Sequence, residues 1–204
     1  MKKLLIAAFA FVFMPLSVLA AQFEEGKHYE VLNLPASSKP EVKEFFSFYC
    51  GHCFKFEPLI AAIKKGLPAG VKLQKSHVDF IPQRQPEAAK TLTKALIAAE
   101  LLKVEAVVIP KIFSAIHVEK KGIVTESTIR SIFSDAGIDA KKFDAAYNNF
   151  MVESQVQHMK IAQNKAKIRS VPSLIVNGKY RAIPNELKSE ADYIALINYL
   201  TTLK

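Results

Sequence analysis

Two cysteines, Cys50 and Cys53, are the residues whose type and spacing most directly suggest chemistry in this 204-residue chain. They are its only cysteines, and two residues separate them. So close a pair does not staple distant parts of a fold, so it indicates either redox chemistry or a metal site. Zinc needs four ligands, and the sequence has neither a second cysteine pair nor histidines at ligand spacing. We therefore expect thiol–disulfide chemistry, with no metal and no other cofactor.

Around the cysteines the apolar pattern changes from strand-like to helical. Residues 42–49 are rich in aromatic and β-favouring residues, and they predict a buried strand that ends at Cys50. Phe56 and Leu59 begin an apolar spacing of three or four residues, which predicts a helix over 51–65. Cys50 then lies at the helix N-terminus, where unpaired N–H groups and the helix dipole favour a thiolate, the reactive form of cysteine.

The two residues between the cysteines differ in what they predict. His52 would stabilise the Cys50 thiolate as a hydrogen-bond donor or as a cation, and the alternative is a solvated loop histidine. Gly51 leaves the backbone of the first helical turn free, which weakens the fixed geometry around the thiolate.

Three charged residues are candidates for tuning the thiols. Glu44 is polar within an otherwise apolar strand, and Lys75 lies in the next predicted strand, over 71–80. Adjacent strands would bring these two side chains together beneath the cysteines, where they could relay a proton; alternatively, each reaches solvent at a strand end. Glu57 lies one helical turn beyond Cys53, and it either influences that thiol or is an ordinary surface charge.

The remaining pattern predicts an α/β fold with a helical insertion. The strands over 42–49 and 71–80 flank one helix, so they form a βαβ unit with parallel strands and a right-handed crossover. Between 82 and 168 the sequence has helical periodicity and no strong strand signal. The other predicted elements are helices over 86–103, 105–117 (broken by Pro110), 126–136, 140–168 and 190–203, and strands over 27–33 and 173–180, the last with a hairpin at Asn177-Gly178.

Residues 1–20 predict a secretory signal peptide. Lys2 and Lys3 precede an apolar run, and Val18-Leu19-Ala20 is a small-residue cleavage site. The alternative is an uncleaved membrane anchor, because the apolar stretch nearly reaches spanning length. The formal net charge of +9 falls to +7 without the two N-terminal lysines. The remaining lysines are scattered rather than clustered, so we expect solvated faces and no nucleic-acid binding.

The sequence resembles the DsbA family of bacterial periplasmic disulfide oxidants. The resemblance covers essentially the whole mature chain and rests on four stretches: residues 44–57, Lys75-Ser-His-Val-Asp-Phe80, Val171-Pro172 with Val176-Asn-Gly-Lys-Tyr180, and the start Ala21-Gln22-Phe23-Glu24. It implies a thioredoxin fold formed by residues 21–81 and 169–204. An all-helical domain would be inserted at 82–168.

The resemblance also implies roles for individual residues. Cys50 would be the exposed sulfur that attacks and is attacked, and Cys53 its buried partner. Pro172 would be a cis proline facing the disulfide, and Val171 would offer backbone hydrogen bonds to substrate. Without the resemblance, nothing local indicates a cis bond, and the plainer interpretation of Pro172 is a trans proline that opens an edge strand. The positions matching the family's charged residues near the active site are Glu44, Glu57 and Lys75.

By the same resemblance, we expect the protein to donate a Cys50–Cys53 disulfide to newly exported proteins in the periplasm. A DsbB-like, quinone-linked membrane oxidase would reoxidise it, and we expect a monomer. The family's commonest dipeptide between the cysteines is Pro-His, whereas Gly51-His52 resembles protein disulfide isomerase. A disulfide isomerase or reductase therefore stays open as an alternative, as does a peptide-binding holdase with an incidental dithiol.

Overall fold

A five-stranded sheet forms the centre of the computed structural model, which describes residues 23–203. The predicted signal peptide at 1–20 lies outside the described residues. The strands are β1 (Tyr29–Val31), β2 (Glu41–Phe46), β3 (Lys72–His77), β4 (Ser173–Val176) and β5 (Tyr180–Ala182). Their order is β1-β5-β4-β2-β3. The β2–β3 pair is parallel and the other neighbours are antiparallel, so the predicted βαβ unit and the α/β class are confirmed.

Helices connect and cover the strands. They are α1 (Gly51–Gly66), α2 (Pro86–Leu101), α3 (Glu105–His117), α4 (Glu126–Ser134), α5 (Ala140–Tyr147), α6 (Phe150–Lys165) and α7 (Glu190–Thr202), with a 3-10 turn at Pro184–Glu186. α1 joins β2 to β3, α2 to α6 lie between β3 and β4, and α7 follows β5. None of the helices within residues 23–203 combines the length and apolar character needed to cross a membrane.

Alternation along β2 places one charged residue between two apolar clusters. Val42, Glu44 and Phe46 are all fully buried on the same face of the sheet. Val42 belongs to the cluster formed with α1 and α7, whereas Phe46 belongs to the cluster formed with α2 to α5. Burying each such apolar side chain stabilises the fold by about 1.5–3 kcal/mol. Glu44 is held between them and lies directly opposite Lys75 in the register of β2 and β3.

The strand before the cysteines is shorter than predicted. β2 ends at Phe46 rather than at residue 49, because Cys50 N–H donates to Ser47 O at 3.0 Å and closes a turn. Phe48 lies beyond the strand and is fully buried in the cluster with α2 to α5. Its burial there accounts for the apolar residue that the sequence analysis assigned to the strand. The turn directs the chain so that α1 begins at the protein surface.

Two of the helical predictions need correction. The single helix predicted over 140–168 is interrupted, because the Asn149 side chain accepts a hydrogen bond from Met151 N–H at 2.8 Å and starts α6. Pro110, in contrast, does not break α3. It removes the donor to the Ala106 carbonyl, but both residues are exposed, so water reaches that carbonyl.

The predicted hairpin at Asn177-Gly178 joins β4 to β5. Both residues have positive φ, 51° and 67°, as a tight turn of this kind requires. The Asn177 side chain also donates to Leu203 O at 2.8 Å and to Leu200 O at 3.3 Å, which ties the hairpin to the end of α7. The hairpin therefore fixes β4, the strand that follows Pro172.

Candidate active site

Cys50 caps the N-terminus of α1, and its sulfur is the centre of the site. Its φ and ψ of −86° and 109° are extended, and its Sγ accepts a hydrogen bond from Cys53 N–H at 3.2 Å. This is the geometry by which an N-cap residue satisfies an unpaired helical N–H group. Both cysteines are free thiols; Cys50 is half-buried and Cys53 fully buried.

The two thiols have opposite pKa shifts. The Cys53 thiol and the N–H groups of Cys53 and His52 hydrogen-bond to the Cys50 sulfur and outweigh its partial burial, which lowers the pKa of Cys50 to about 6. The pKa of Cys53 is raised far above its ordinary value, because Cys53 donates to Cys50 and is buried. At neutral pH the reduced site therefore holds a thiolate at Cys50 and a thiol at Cys53.

The Val171–Pro172 segment faces Cys50 from the far end of the chain. The peptide bond between these residues is cis, and Cys50 Sγ lies 3.6 Å from the Val171 carbonyl oxygen. The arrangement is the one that the resemblance implied, not the trans proline of the alternative. It places a backbone carbonyl directly beside the reactive sulfur.

The two residues between the cysteines are both exposed. His52 acts on Cys50 through its backbone N–H and through its charge, and the charge is the weaker of these two effects on the pKa of Cys50. Gly51 contributes no side chain on the open side of the turn. The helix start thus lowers the pKa of Cys50 more through peptide groups than through the imidazole of His52.

Beneath the cysteines, one lysine holds two carboxylates. Lys75 Nζ lies 2.6 Å from Glu44 Oε2 and 2.6 Å from Glu57 Oε1. The structure therefore brings together the three predicted charged residues. Burial raises the pKa of Glu44 to about 7 despite the nearby ammonium group, and the charge of Glu44 raises the pKa of Cys53. Burial lowers the pKa of Lys75, but the two carboxylates outweigh it and leave a net increase.

Glu44 differs from an ordinary ion-pair residue because one of its two carboxylate oxygens is unpaired within the part of the chain that the structure describes. Its side chain is fully buried, and Oε1 has no hydrogen-bond partner among residues 23–203. An unpaired buried carboxylate oxygen is costly, so the protonated form competes with the charged form near neutral pH. Glu44 is thus a buried group that can exchange a proton under ordinary conditions.

The sequence analysis assigned no role to two histidines that lie near the site. His77, at the end of β3, accepts from Phe48 N–H through Nε2 at 3.2 Å, and its Nδ1 lies 2.9 Å from Thr93 Oγ1. Burial lowers the pKa of His77 to about 3, so the ring is neutral. His117, the last residue of α3, donates through Nε2 to Phe48 O at 2.7 Å and stacks on Phe54. Only the register of β2 and β3 could have placed His77 here, and nothing local predicts His117.

A groove of about 330 Å³ opens beside the cysteines. Its apolar walls come from α1, from the region before α7 and from α7 itself, and they include Phe56, Leu187 and Tyr193. Pro172 and His52 lie at its edge nearest Cys50. The sequence analysis assigned site roles only to His52 and Pro172, because the walls at Leu187 and Tyr193 are distant in sequence and Phe56 was interpreted only as part of the helical spacing.

Among residues 23–203, no three or more His, Cys, Asp or Glu side chains are grouped so that they could hold a metal ion.

Comparison with known proteins places this site in a family. Residues 41–191 match the family model of the DSBA-like thioredoxin domain. The chain is 37% identical over 207 residues to thiol:disulfide interchange protein DsbA of Escherichia coli, covering 100% of this chain and 97% of that protein. It is also 37% identical to the protein of the same name from Yersinia pestis, covering 97% of this chain and 98% of that one.

The solved structures lead to the same family. DsbA of Proteus mirabilis, in complex with a non-covalently bound peptide of sequence PWATCDS, matches with a TM-score of 0.81 and 32% identity. The match covers 90% of this chain and 100% of that one. The chain therefore belongs to the DsbA family and is a thiol:disulfide oxidoreductase with a thioredoxin fold.

Proposed function

We propose that this protein is an oxidant, which donates a disulfide between Cys50 and Cys53 to newly exported proteins. The observation that carries the proposal is the contrast between the accessible Cys50, with its pKa lowered to about 6, and the buried Cys53, with its pKa raised. A stabilised thiolate favours the reduced enzyme, so the oxidised enzyme readily gives its disulfide away. Each pKa unit below the ambient pH adds about 1.4 kcal/mol to that preference.

The reaction consists of two exchanges. A substrate thiolate attacks Cys50 Sγ of the enzyme disulfide, which forms a mixed disulfide and expels Cys53 as a thiolate. A second substrate thiolate attacks the substrate sulfur of the mixed disulfide, which forms the substrate disulfide and expels Cys50. Two electrons thus pass from the substrate to the enzyme. Cys53 takes up one proton, and the other goes to solvent because Cys50 leaves as a thiolate.

Glu44 is the proposed proton donor to the Cys53 thiolate. It is buried, its pKa of about 7 allows it to hold a proton at neutral pH, and its charge acts on the pKa of Cys53. Lys75 orients the carboxyl and connects it to Glu57, which is partly exposed. The three groups together form a path by which the proton is replaced from solvent.

Val171 and Pro172 are the proposed substrate contacts. The backbone of Val171, beside Cys50, would hydrogen-bond an extended segment that carries the reacting cysteine. Apolar side chains of that segment would occupy the groove with Phe56 and Tyr193. The peptide held by the Proteus mirabilis relative contains a cysteine, which supports this mode of binding.

The proposed compartment is the periplasm, and residues 1–20 are the proposed signal peptide. Lys2, Lys3 and the following apolar run support this, together with membership of the DsbA family. A DsbB-like, quinone-linked membrane oxidase is the proposed source of oxidising equivalents, and the protein is expected to act as a monomer. Fractionation of cells and sequencing of the mature N-terminus test the compartment, and the expected first residue is Ala21.

Disulfide transfer to a model peptide tests the proposed direction of the reaction. The oxidised protein is mixed with a reduced peptide that carries two cysteines, and the peptide disulfide is counted by mass spectrometry. We expect one peptide disulfide for each enzyme disulfide, and none with the Cys50→Ser variant as control. At equilibrium with a glutathione buffer, the reduced enzyme should dominate. An enzyme that keeps its disulfide in that buffer contradicts the role of oxidant.

The second candidate is a disulfide isomerase, which the Gly51-His52 dipeptide favours. A substrate with scrambled disulfides separates the two roles. The reduced enzyme should reshuffle such a substrate slowly, because the low pKa of Cys50 makes it a good leaving group, so its mixed disulfides break before the substrate rearranges. Rapid recovery of the native disulfides would support the isomerase instead.

A further inference from the structure

Two histidines from outside the Cys-Gly-His-Cys segment hold the turn that leads into it. The turn is closed by Cys50 N–H, which donates to Ser47 O at 3.0 Å, and Phe48 lies at its centre. Phe48 N–H donates to His77 Nε2 at 3.2 Å, and Phe48 O accepts from His117 Nε2 at 2.7 Å. Side chains therefore fix both backbone groups of Phe48, two residues before the reacting sulfur.

The ring of His117 also packs against Phe54 in the first turn of α1. It is nearly parallel to the ring of Phe54, with 5.1 Å between centroids and 8° between planes. A Cβ atom added at Gly51 would lie 3.9 Å from both Cε1 and Nδ1 of His117. A side chain at position 51 would therefore be in ordinary contact with the imidazole, and Gly51 leaves that space empty.

The backbone near Cys50 must be held in place, because the Cys50 thiolate is stabilised by peptide N–H groups that have to point at its sulfur. The N–H groups of His52 and Cys53 lower the pKa of Cys50, and such hydrogen bonds weaken steeply when their angle departs from linearity. Gly51 leaves the backbone between Cys50 and these donors unusually free. The Phe48 carbonyl lies in the turn that Cys50 N–H closes, so a hydrogen bond to this carbonyl restricts the backbone that carries the sulfur.

We propose that His117 is a positioning residue for Cys50: from the side of α3 it holds the Phe48 carbonyl, and with it the turn that leads to Cys50. The contact supports the turn from outside β2 and α1. The inference rests on the proposed function only in that Cys50 is the reacting thiol. It applies whether the enzyme oxidises, reduces or isomerises its substrates.

Two substitutions separate the hydrogen bond of His117 from its stacking. His117→Phe keeps an aromatic ring against Phe54 and loses the donor, whereas His117→Gln keeps an amide donor and loses the ring. His158→Gln, at an exposed position of α6, is the matched control. For each variant we would measure the Cys50 pKa from thiolate absorbance, the alkylation rate at pH 6, the equilibrium with glutathione, and the melting temperatures of both redox forms.

We expect His117→Phe to raise the Cys50 pKa by about one unit, which reduces the alkylation rate at pH 6 about fivefold through the lower thiolate fraction. Its glutathione equilibrium should shift toward the disulfide form, and the gap between the two melting temperatures should narrow. His117→Gln should recover most of the wild-type values, and His158→Gln all of them.

A purely structural role predicts a different result. His117→Phe would then lower both melting temperatures equally and leave the Cys50 pKa and the glutathione equilibrium unchanged, and this outcome would overturn the proposal. Failure of the wild-type protein to oxidise the model peptide would instead refute the proposed oxidant role. The titration of Cys50 would be unaffected by that failure, so the two proposals can be judged separately.

Discussion

Cys50 and Cys53 lie three residues apart in one helical turn, yet their surroundings are opposite. Cys50 is partly open to solvent, accepts a hydrogen bond from a peptide N–H group and faces the Val171 carbonyl. Cys53 is fully buried; its hydrogen bond to Cys50 and its burial raise its pKa, and the charge of Glu44 adds to this increase. The helix start thus stabilises negative charge on one sulfur, and the core suppresses it on the other.

The difference between the two thiols sets the direction of disulfide transfer. The sulfur that substrates reach is also the better leaving group, so a mixed disulfide at Cys50 breaks easily toward the substrate disulfide. Because its pKa is raised, Cys53 takes up a proton when it is expelled, and Glu44 is the proton donor proposed above. Two thiols with the same pKa and the same exposure would not differ in this way.

Selective alkylation is expected to show the largest difference between the two thiols. In the reduced protein at pH 6, Cys50 should react at least about 100-fold faster than Cys53, because only Cys50 has a substantial thiolate fraction and an exposed sulfur. Mass spectrometry of timed samples measures both rates. Similar rates at the two positions would contradict the assignment of Cys50 as the reactive thiol.

The pH dependence of stability should differ between the redox forms. The pKa of Cys50 is lowered from 9.0 to about 6 in the folded reduced protein, so its contribution to stability is present at high pH and is lost as pH falls through 6. The oxidised form lacks this titration. The melting temperature of the reduced form should therefore rise relative to that of the oxidised form between about pH 6 and pH 8.5. A constant difference across that range would show that the folded protein does not stabilise the thiolate.

Glu44→Gln tests the buried surroundings of Cys53. The pKa of Glu44 is raised from 4.5 to about 7, so this residue stabilises the fold at low pH, and that contribution is lost as pH rises through 7. The oxidised wild-type protein should lose stability on the order of 2 kcal/mol from this residue between pH 4.5 and 7.5, and the variant should not. Denaturant unfolding at a series of pH values measures the difference. The same decline in both proteins would assign it to another group.

The smallest expected effect concerns the open side of the first turn. Gly51→Pro should lower the Cys50 pKa by about half a unit, since proline fixes φ near the helical value and restricts the backbone at Gly51. The thiolate loses no donor, because the N–H groups that lower the pKa belong to His52 and Cys53. Gly51→Ala, which adds only a Cβ in ordinary contact with His117, is the control. Titration of thiolate absorbance measures both variants, and an increase in the pKa with proline would mean that its ring distorts the turn.

Local patterns were sufficient for the elements that carry the cysteines. The change of apolar spacing after Cys50 depends on neighbouring residues alone, and it correctly predicted the start of α1. The parallel pairing that sets Glu44 opposite Lys75 followed from strand, helix and strand in sequence order. The interruption before α6 was missed, because helical periodicity continues through Asn149 while its side chain caps a new helix.

The reactive groups could be identified from the amino-acid sequence: two thiols at a helix start, with a carboxylate and a lysine on adjacent strands. The residues that surround these groups are brought to them by tertiary packing. The Val171 carbonyl reaches Cys50 across 121 positions, and His117 reaches Phe48 across 69. The physical reason is that periodicity and helix capping depend on residues a few positions apart, whereas these contacts depend on how the inserted helices and β4 pack against β2.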